Sequence, residues 1–374
     1  MTDLIVAAEP QPFEKRNGQS SLAGLLFDLS HPKIPYAEDL AVALARRSYG
    51  VDGNVRRLAT EKDDTFIVKA ATGAQFILKI AHPLEPIAEL ELQISVLRHL
   101  EARSPGVPVP RVLPNVDGSF LTPVESEVGP PRMARLMTFL PGTVLDKTTA
   151  TSDQRASIGE VLAELRFAMA DFEHPADGRI VAWDVTNLLS FAALAEHIVD
   201  LNHRRSVELA LDSFAEIQPR LAGLRSQVLH NDFNTSNIVV DHRNPGFVNG
   251  IIDFGDTVRT AIAVDVSTAL MNQMPNLAGL DRGDPPFEGA HALLRGYLRL
   301  ADLTAEELRI IPYLAMGRVA LRGLLTSWRA ALFPENGAYI LRNTQAGWFH
   351  LDWFLSMSRQ QMDTLLTDRL DGGR

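Results

Sequence analysis

The sequence predicts an α+β fold of two lobes, the first rich in β-strand and the second rich in helix. Alternating apolar residues mark strands in the first 140 positions, while helical periodicity dominates beyond Ser152. A proline-rich stretch and then a Pro141-Gly142 step separate the two patterns. The 374 residues are too many for one ordinary core and suit one large bilobal unit or two domains.

Residues 1–20 carry no apolar segment of the kind a secretory signal needs and read as a flexible N-terminal arm. Residues 21–140 form the first lobe. Ala37 to Tyr49 has a helical pattern ended by Gly50 and Gly53. Phe66, Val68 and Ala70 alternate along one strand, and Phe76, Leu78 and Ile80 along a second; Gly73 between them supplies a tight turn. Lys79 sits near the end of this hairpin. A helix from about Glu85 to Arg103 follows, with Ile87, Leu90, Ile94 and Leu97 at helical spacing and Glu91 beside them. Pro105, Pro108, Pro110 and Pro114 then break the chain, and Arg132 to Leu140 reads as a further strand. Residues 141–374 form the second lobe. Ile158, Val161, Leu162, Leu165 and Met169 are typical of its helices, and its one clear β segment runs from Asn237 to Phe254.

Composition narrows the function. With no cysteine in the chain, disulfides, thiolate metal sites and cysteine nucleophiles are excluded. A formal net charge of −10 and the lack of a basic patch speak against a nucleic-acid partner. No apolar run reaches the length of a membrane span, and with no targeting signal the cytoplasm is the expected compartment. Nothing in the sequence sets an oligomeric state.

The chemistry concentrates in His230-Asn-Asp-Phe-Asn-Thr-Ser-Asn237 and Asp253-Phe-Gly-Asp256. Between them, two short apolar runs flank His242-Arg-Asn-Pro-Gly246, a turn-forming stretch. An antiparallel hairpin brings the start of its first strand beside the end of its second. Asn237 and Asp253 therefore meet, with Asp232 just upstream. A carboxylate and an amide oxygen suit Mg²⁺ when phosphate oxygens complete its shell. The remaining carboxylate, Asp232, is free to orient a hydroxyl or accept its proton, which is what phosphoryl transfer requires. A surface hairpin with incidental Asp and Asn is the plainer alternative, but the ordered combination of motifs favours a site.

This pattern resembles the aminoglycoside phosphotransferase and choline kinase-like family of small-molecule kinases. The resemblance implies a protein-kinase-like bilobal fold, with ATP or GTP as phosphoryl donor and Mg²⁺ as cofactor. It further implies Asp232 as the catalytic carboxylate, His230 as the residue that orders its loop, and Asn237 and Asp253 as metal ligands. Lys79 resembles the strand lysine that meets nucleotide phosphates, and Glu91 its helix partner, with Glu89 the alternative. Leu136 to Gly142 is similar to the hinge that meets the base through backbone groups of Thr138, Phe139 and Leu140. No Gly-x-x-x-x-Gly-Lys-Ser/Thr loop is present, and Glu61 to Phe66 takes the place of a glycine-rich one. Asp265 either accepts backbone N–H groups from the catalytic loop or favours a helix start.

Ser48 to Asp52, Phe172-Glu-His-Pro175, Trp183-Asp184 and Gly347-Trp-Phe349 look closer to the hydroxylysine kinase-like subgroup. This implies a hydroxy amino acid as acceptor. Arg318 and Arg322, one turn apart on a predicted helix, could clamp a carboxylate. Asp256 could hold an ammonium group, and Trp183, Trp328, Tyr339 and Trp348 could wall the pocket. Aminoglycoside, homoserine and choline kinases share the catalytic motif and stay open as alternatives, as does a non-catalytic kinase-like binding protein.

Overall fold

The computed structural model describes residues 11–13, 24, 26–60, 62–125 and 131–367. Of the expected N-terminal arm, only Gln11 to Phe13 fall within these. Gln11–Pro12 (β1) pairs with a strand of the second lobe, and Phe13 packs against that lobe's core.

The first lobe begins with helix α1 (Glu38–Tyr49), which ends at Gly50 in the left-handed region, φ 66°. Without a Cβ, glycine takes this conformation freely. An antiparallel sheet follows: β2 (Gly53–Leu58), β3 (Asp64–Ala70), β4 (Gln75–Ile80), β5 (Val112–Leu113), β6 (Thr122–Val124) and β7 (Arg132–Thr138), in the order β2-β3-β4-β7-β5, with β6 also on β7. Phe66, Val68, Leu78, Ile80, Ala134 and Leu136 alternate inward and close a small core with Ala41, Leu44 and Ala45 of α1. Helix α2 (Ile87–Arg103) does not join that core; its Leu92, Val96, Leu97 and Leu100 pack into the larger core shared with the second lobe. Burying such leucines stabilises by about 1.5–3 kcal/mol each, enough to set the rotation of the helix.

After Thr138 the chain leaves the first sheet. Its next strand, β8 (Thr143–Val144), already pairs with the second lobe. There, helices α3 (Ser152–Ala168), α4 (Leu201–Leu221), α5 (Ile262–Met271), α6 (Glu288–Leu300), α7 (Ala305–Leu332) and α8 (Thr344–Leu355) surround two three-stranded sheets. A series of 3₁₀ turns covers Val185–His197. The sheets are β1, β9 (Arg225–Leu229) and β12 (Val258–Ala261), and β8, β10 (Ile238–Val240) and β11 (Val248–Ile251).

The expectation of a single β segment in this lobe is therefore corrected: the short β8 is additional, and so are β9 and β12. The latter two lack the usual alternation because Ser226, Gln227 and Thr260 are buried polar residues. These strands matter to the site. The loop 230–237 joins β9 to β10 and the turn 252–257 joins β11 to β12, so two paired ladders hold both loops at one place. Among the described residues no helix is long and apolar enough to cross a membrane.

Candidate active site

The hairpin register pairs Ile238 with Ile251, and the Ile252 N–H donates to the Asn237 carbonyl at 2.9 Å. Asn237 and the residue before Asp253 are thereby tied directly. The Asn237 Nδ2 donates to Asp232 Oδ2 at 2.8 Å and to the Asp232 carbonyl at 3.0 Å, which leaves its Oδ1 as a free acceptor. Asn234 Nδ2 donates to the same Asp232 Oδ2 at 2.8 Å.

His230 is fully buried and edge-on to Phe254. Its Nδ1 accepts the Asp232 N–H at 3.2 Å, so Nε2 carries the proton that is donated to the Ile252 carbonyl at 3.1 Å. One imidazole thus braces the Asp232 loop against the Asp253 turn. Asn231 has φ 62°, a conformation that asparagine tolerates far better than most residues with a side chain. Its N–H donates to Asp265 Oδ1 at 2.7 Å. Asp265 also lies in the first turn of α5, so both expected roles coincide, and burial pushes its carboxyl up to about 6.

Asp253 likewise has a positive φ, 65°, and its side chain is half exposed. Lys79 Nζ donates to its Oδ1 at 3.1 Å across the lobes and stands 4.0 Å from Asp63. The Lys79 ammonium holds the Asp253 carboxyl below its usual range. Asp232 goes the other way. Burial raises it, against the opposing charge of Arg318. Asp256 is pushed up to about 7 by burial and by the charge of Asp232.

The Lys79–Glu91 pair expected from the sequence does not form. Glu91 is exposed on α2, and the acidic partners of Lys79 are Asp63 and Asp253. Buried Leu92, Gln93 and Val96 show where the inward face lies, and Ile87, counted as part of it, is 54 % exposed. The inward polar positions of α2 are Glu89 and Gln93. Gln93 accepts from Arg135 at 2.8 Å, and Arg135 also bonds Asp63 at 2.8 Å, on β7 directly beside Lys79. Including Leu92 and Val96 in the apolar stripe would have shifted the helix phase towards these residues.

At the hinge, Thr138 is already engaged. Its N–H donates to the Arg111 carbonyl and its hydroxyl accepts from the Arg111 N–H, each at 2.9 Å. Phe139 and Leu140 follow the end of β7 and lead to the Pro141-Gly142 step. The hinge rests on the second lobe, where a Cβ at Gly250 would meet the Leu140 side chain at 2.5 Å.

Arg318 and Arg322 both lie on α7, one turn apart, but have different partners. Arg318 Nη2 donates to Asp232 Oδ1 at 3.0 Å, its guanidinium carbon lies 5.2 Å over the Trp183 ring, and its buried Nη1 has no hydrogen-bond partner. Arg322 Nη2 donates to Asn272 Oδ1 at 3.0 Å, and burial lowers it to about 10. Of the four aromatic residues expected as pocket walls, Trp183 meets the site through Arg318. Trp328 packs against the large core, Trp348 stacks on His203 at 4.5 Å, and the exposed Tyr339 meets Arg342. Arg179, which the sequence reading passed over, reaches the Asp253–Asp256 turn from another loop.

Comparison with known proteins bears on the family and the fold. The profile described as the phosphotransferase enzyme family (APH) matches residues 54–303, more than half of the chain. Hydroxylysine kinase of Xenopus laevis is 26% identical over 92% of this chain and 96% of its own. Homoserine kinase of Azorhizobium caulinodans is 29% identical over 75% of this chain and 81% of its own. Among solved structures, the amicoumacin kinase hAmiN, in complex with AMP-PNP, Ca²⁺ and Ami, superposes with a TM-score of 0.65 at 18% identity. That match covers 87% of this chain and 97% of the other. The choline kinase of Cryptosporidium parvum gives 0.58 at 11% identity, over 88% and 98%. These two share the protein-kinase-like fold of small-molecule kinases. The chain belongs to the phosphotransferase enzyme family and is a small-molecule kinase.

Proposed function

We propose that the protein moves the γ-phosphoryl group of ATP or GTP to a hydroxyl of a small hydroxy amino acid such as hydroxylysine, in a Mg²⁺-dependent reaction. The observation that carries this reading is the convergence of Asp232, Asn237, Asp253 and Lys79 at one end of one hairpin. Asn237 Oδ1 and the Asp253 oxygen that Lys79 leaves free form an oxygen donor pair suited to a hard cation. Bound there, Mg²⁺ would supply charge neutralisation at the phosphates. Among the described residues no group of three or more His, Cys, Asp or Glu could hold a metal ion unaided, so nucleotide oxygens belong to this reading.

Each residue then has a distinct task. Lys79 binds nucleotide phosphate, and the backbone of Phe139 and Leu140 meets the base. Asp232 orients the acceptor hydroxyl and takes its proton. Its burial raises its proton affinity, which suits a group that takes a proton. His230 and Asp265 hold the loop that presents it.

The acceptor class follows from charge. The unpartnered Nη1 of Arg318 suits a carboxylate, with Arg322 one turn away adding positive charge. Asp256, whose carboxyl is pushed up to about 7, would be held ionised by an ammonium group. A zwitterionic hydroxy amino acid carries both. The relatives named hydroxylysine kinase and homoserine kinase support the same class.

The test compares hydroxylysine, homoserine, a kanamycin-type aminoglycoside and choline as acceptors, each with ATP and with GTP. A hydroxy amino acid should give the highest kcat/KM. A higher value for the aminoglycoside replaces this reading with antibiotic modification, and a preference for choline removes the carboxylate argument.

A further inference from the structure

The segment Phe172-Glu-His-Pro175 and the residues after it have no part in the chemistry above, yet they are built as a rigid bracket. The Ala176 N–H donates to His174 Nδ1 at 3.1 Å, and the Asp177 N–H to the His174 carbonyl at 2.9 Å. Asp177 is buried, and its carboxylate accepts from Arg259 Nη2 at 2.8 Å. The Arg259 N–H, on β12, donates to the Asp177 carbonyl at 2.7 Å. The bracket is therefore fastened to the strand that follows the Asp253–Asp256 turn.

Arg179 projects from this bracket. Its Nε donates to the Thr257 carbonyl at 3.1 Å, its Nη2 to the Gly255 carbonyl and its Nη1 to Glu89 on α2. Both charged side chains are largely buried, Arg179 at 10% and Glu89 at 18% exposure. One planar guanidinium thus grips two carbonyls of the turn that carries Asp253 and, on its other edge, a carboxylate of the helix contributed by the first lobe. A lysine has its donors at a single point and cannot span three such acceptors.

We propose that Arg179 is the positioning residue that sets the Asp253 turn against the first lobe, with Glu89 as its partner. It links α2 to the site in place of the absent Lys79–Glu91 pair. Asp253 is held on one side by Lys79 and, through its own chain two and four residues on, by Arg179 on the other. The proposal rests on the reading of Asp253 as a metal ligand. Residues that support a ligand from behind typically change metal affinity or activity by about 10- to 100-fold when removed.

The experiment measures binding of mant-ATP and mant-GTP with and without Mg²⁺, so that no acceptor is needed. Arg179→Ala should leave metal-free nucleotide binding close to wild type and reduce the gain on adding Mg²⁺ by about 10-fold or more. Glu89→Gln should do the same to a smaller extent, and adding it to Arg179→Ala should cost nothing further, because the two act through one contact. Arg179→Lys, which keeps the charge, is read alongside and should resemble Arg179→Ala; it stands in if the alanine protein does not fold. A wild-type Mg²⁺ gain in either Arg179 variant, or additive losses in the double variant, overturns the proposal. Asp253→Ala is the control. If it too keeps the gain, the metal-ligand reading fails; if it loses the gain while Arg179→Ala keeps it, only the role of Arg179 fails.

Discussion

The loop and hairpin between His230 and Asp256 and the neighbourhood of Lys79 both contribute charged groups to one site, but they are assembled in different ways. In the first, the residues that converge are separated by a hairpin whose register places them. Asn237 meets the chain beside Asp253 because Ile238 pairs with Ile251. In the second, the partners come from distant segments, and the outcome depends on the rotation of one helix. There the expected Glu91 faces outward, while Asp63, Gln93 and Arg135 occupy the space beside Lys79. Proximity set by local pairing is robust; proximity set by packing changes with the phase of the packed element.

This contrast can be tested by substitution. The largest effect should come from Asp232→Asn, which keeps the shape and removes the proposed base; kcat should fall by about 10²–10⁴ with the fold retained. A variant within about threefold of wild type would refute the assignment. Lys79→Ala should follow, at about 10²-fold in kcat, since it removes one fixed charge at the phosphates. An equal loss in Glu91→Ala would restore the pair that the fold lacks.

Arg318→Ala comes next. Its carboxylate-binding role alone would raise the acceptor KM and spare kcat. Because Arg318 also holds Asp232, kcat should fall as well, by roughly tenfold, even for an acceptor without a carboxylate. A pure KM effect that vanishes with such an acceptor would reduce Arg318 to a substrate clamp. The smallest effect is expected from Glu91→Ala, within about twofold in activity and about 0.5 kcal/mol in stability, as for an exposed side chain without a partner in the site. Steady-state kinetics and thermal unfolding of the four proteins give the whole order.

Much of the fold could be read in advance because its signals are local. The β3–β4 hairpin shows alternating apolar residues around Gly73, and α1 ends where Gly50 ends its pattern. The short strands β9 and β12 escaped because their buried Ser226, Gln227 and Thr260 hide the apolar alternation. Arg179 left no signal at all, since neither of its carbonyl partners depends on side-chain identity.

The sequence by itself determined the two-lobe order, the hairpin, and the set of groups that the hairpin brings together. These follow from periodicity and turn chemistry acting over a few residues. Tertiary structure decided which carboxylates Lys79 faces, that Arg318 is tied to Asp232, and that Arg179 joins the Asp253 turn to Glu89. The reason is physical: charged groups far apart in sequence meet only after apolar packing has fixed how each helix is turned, and that packing is a property of the whole core.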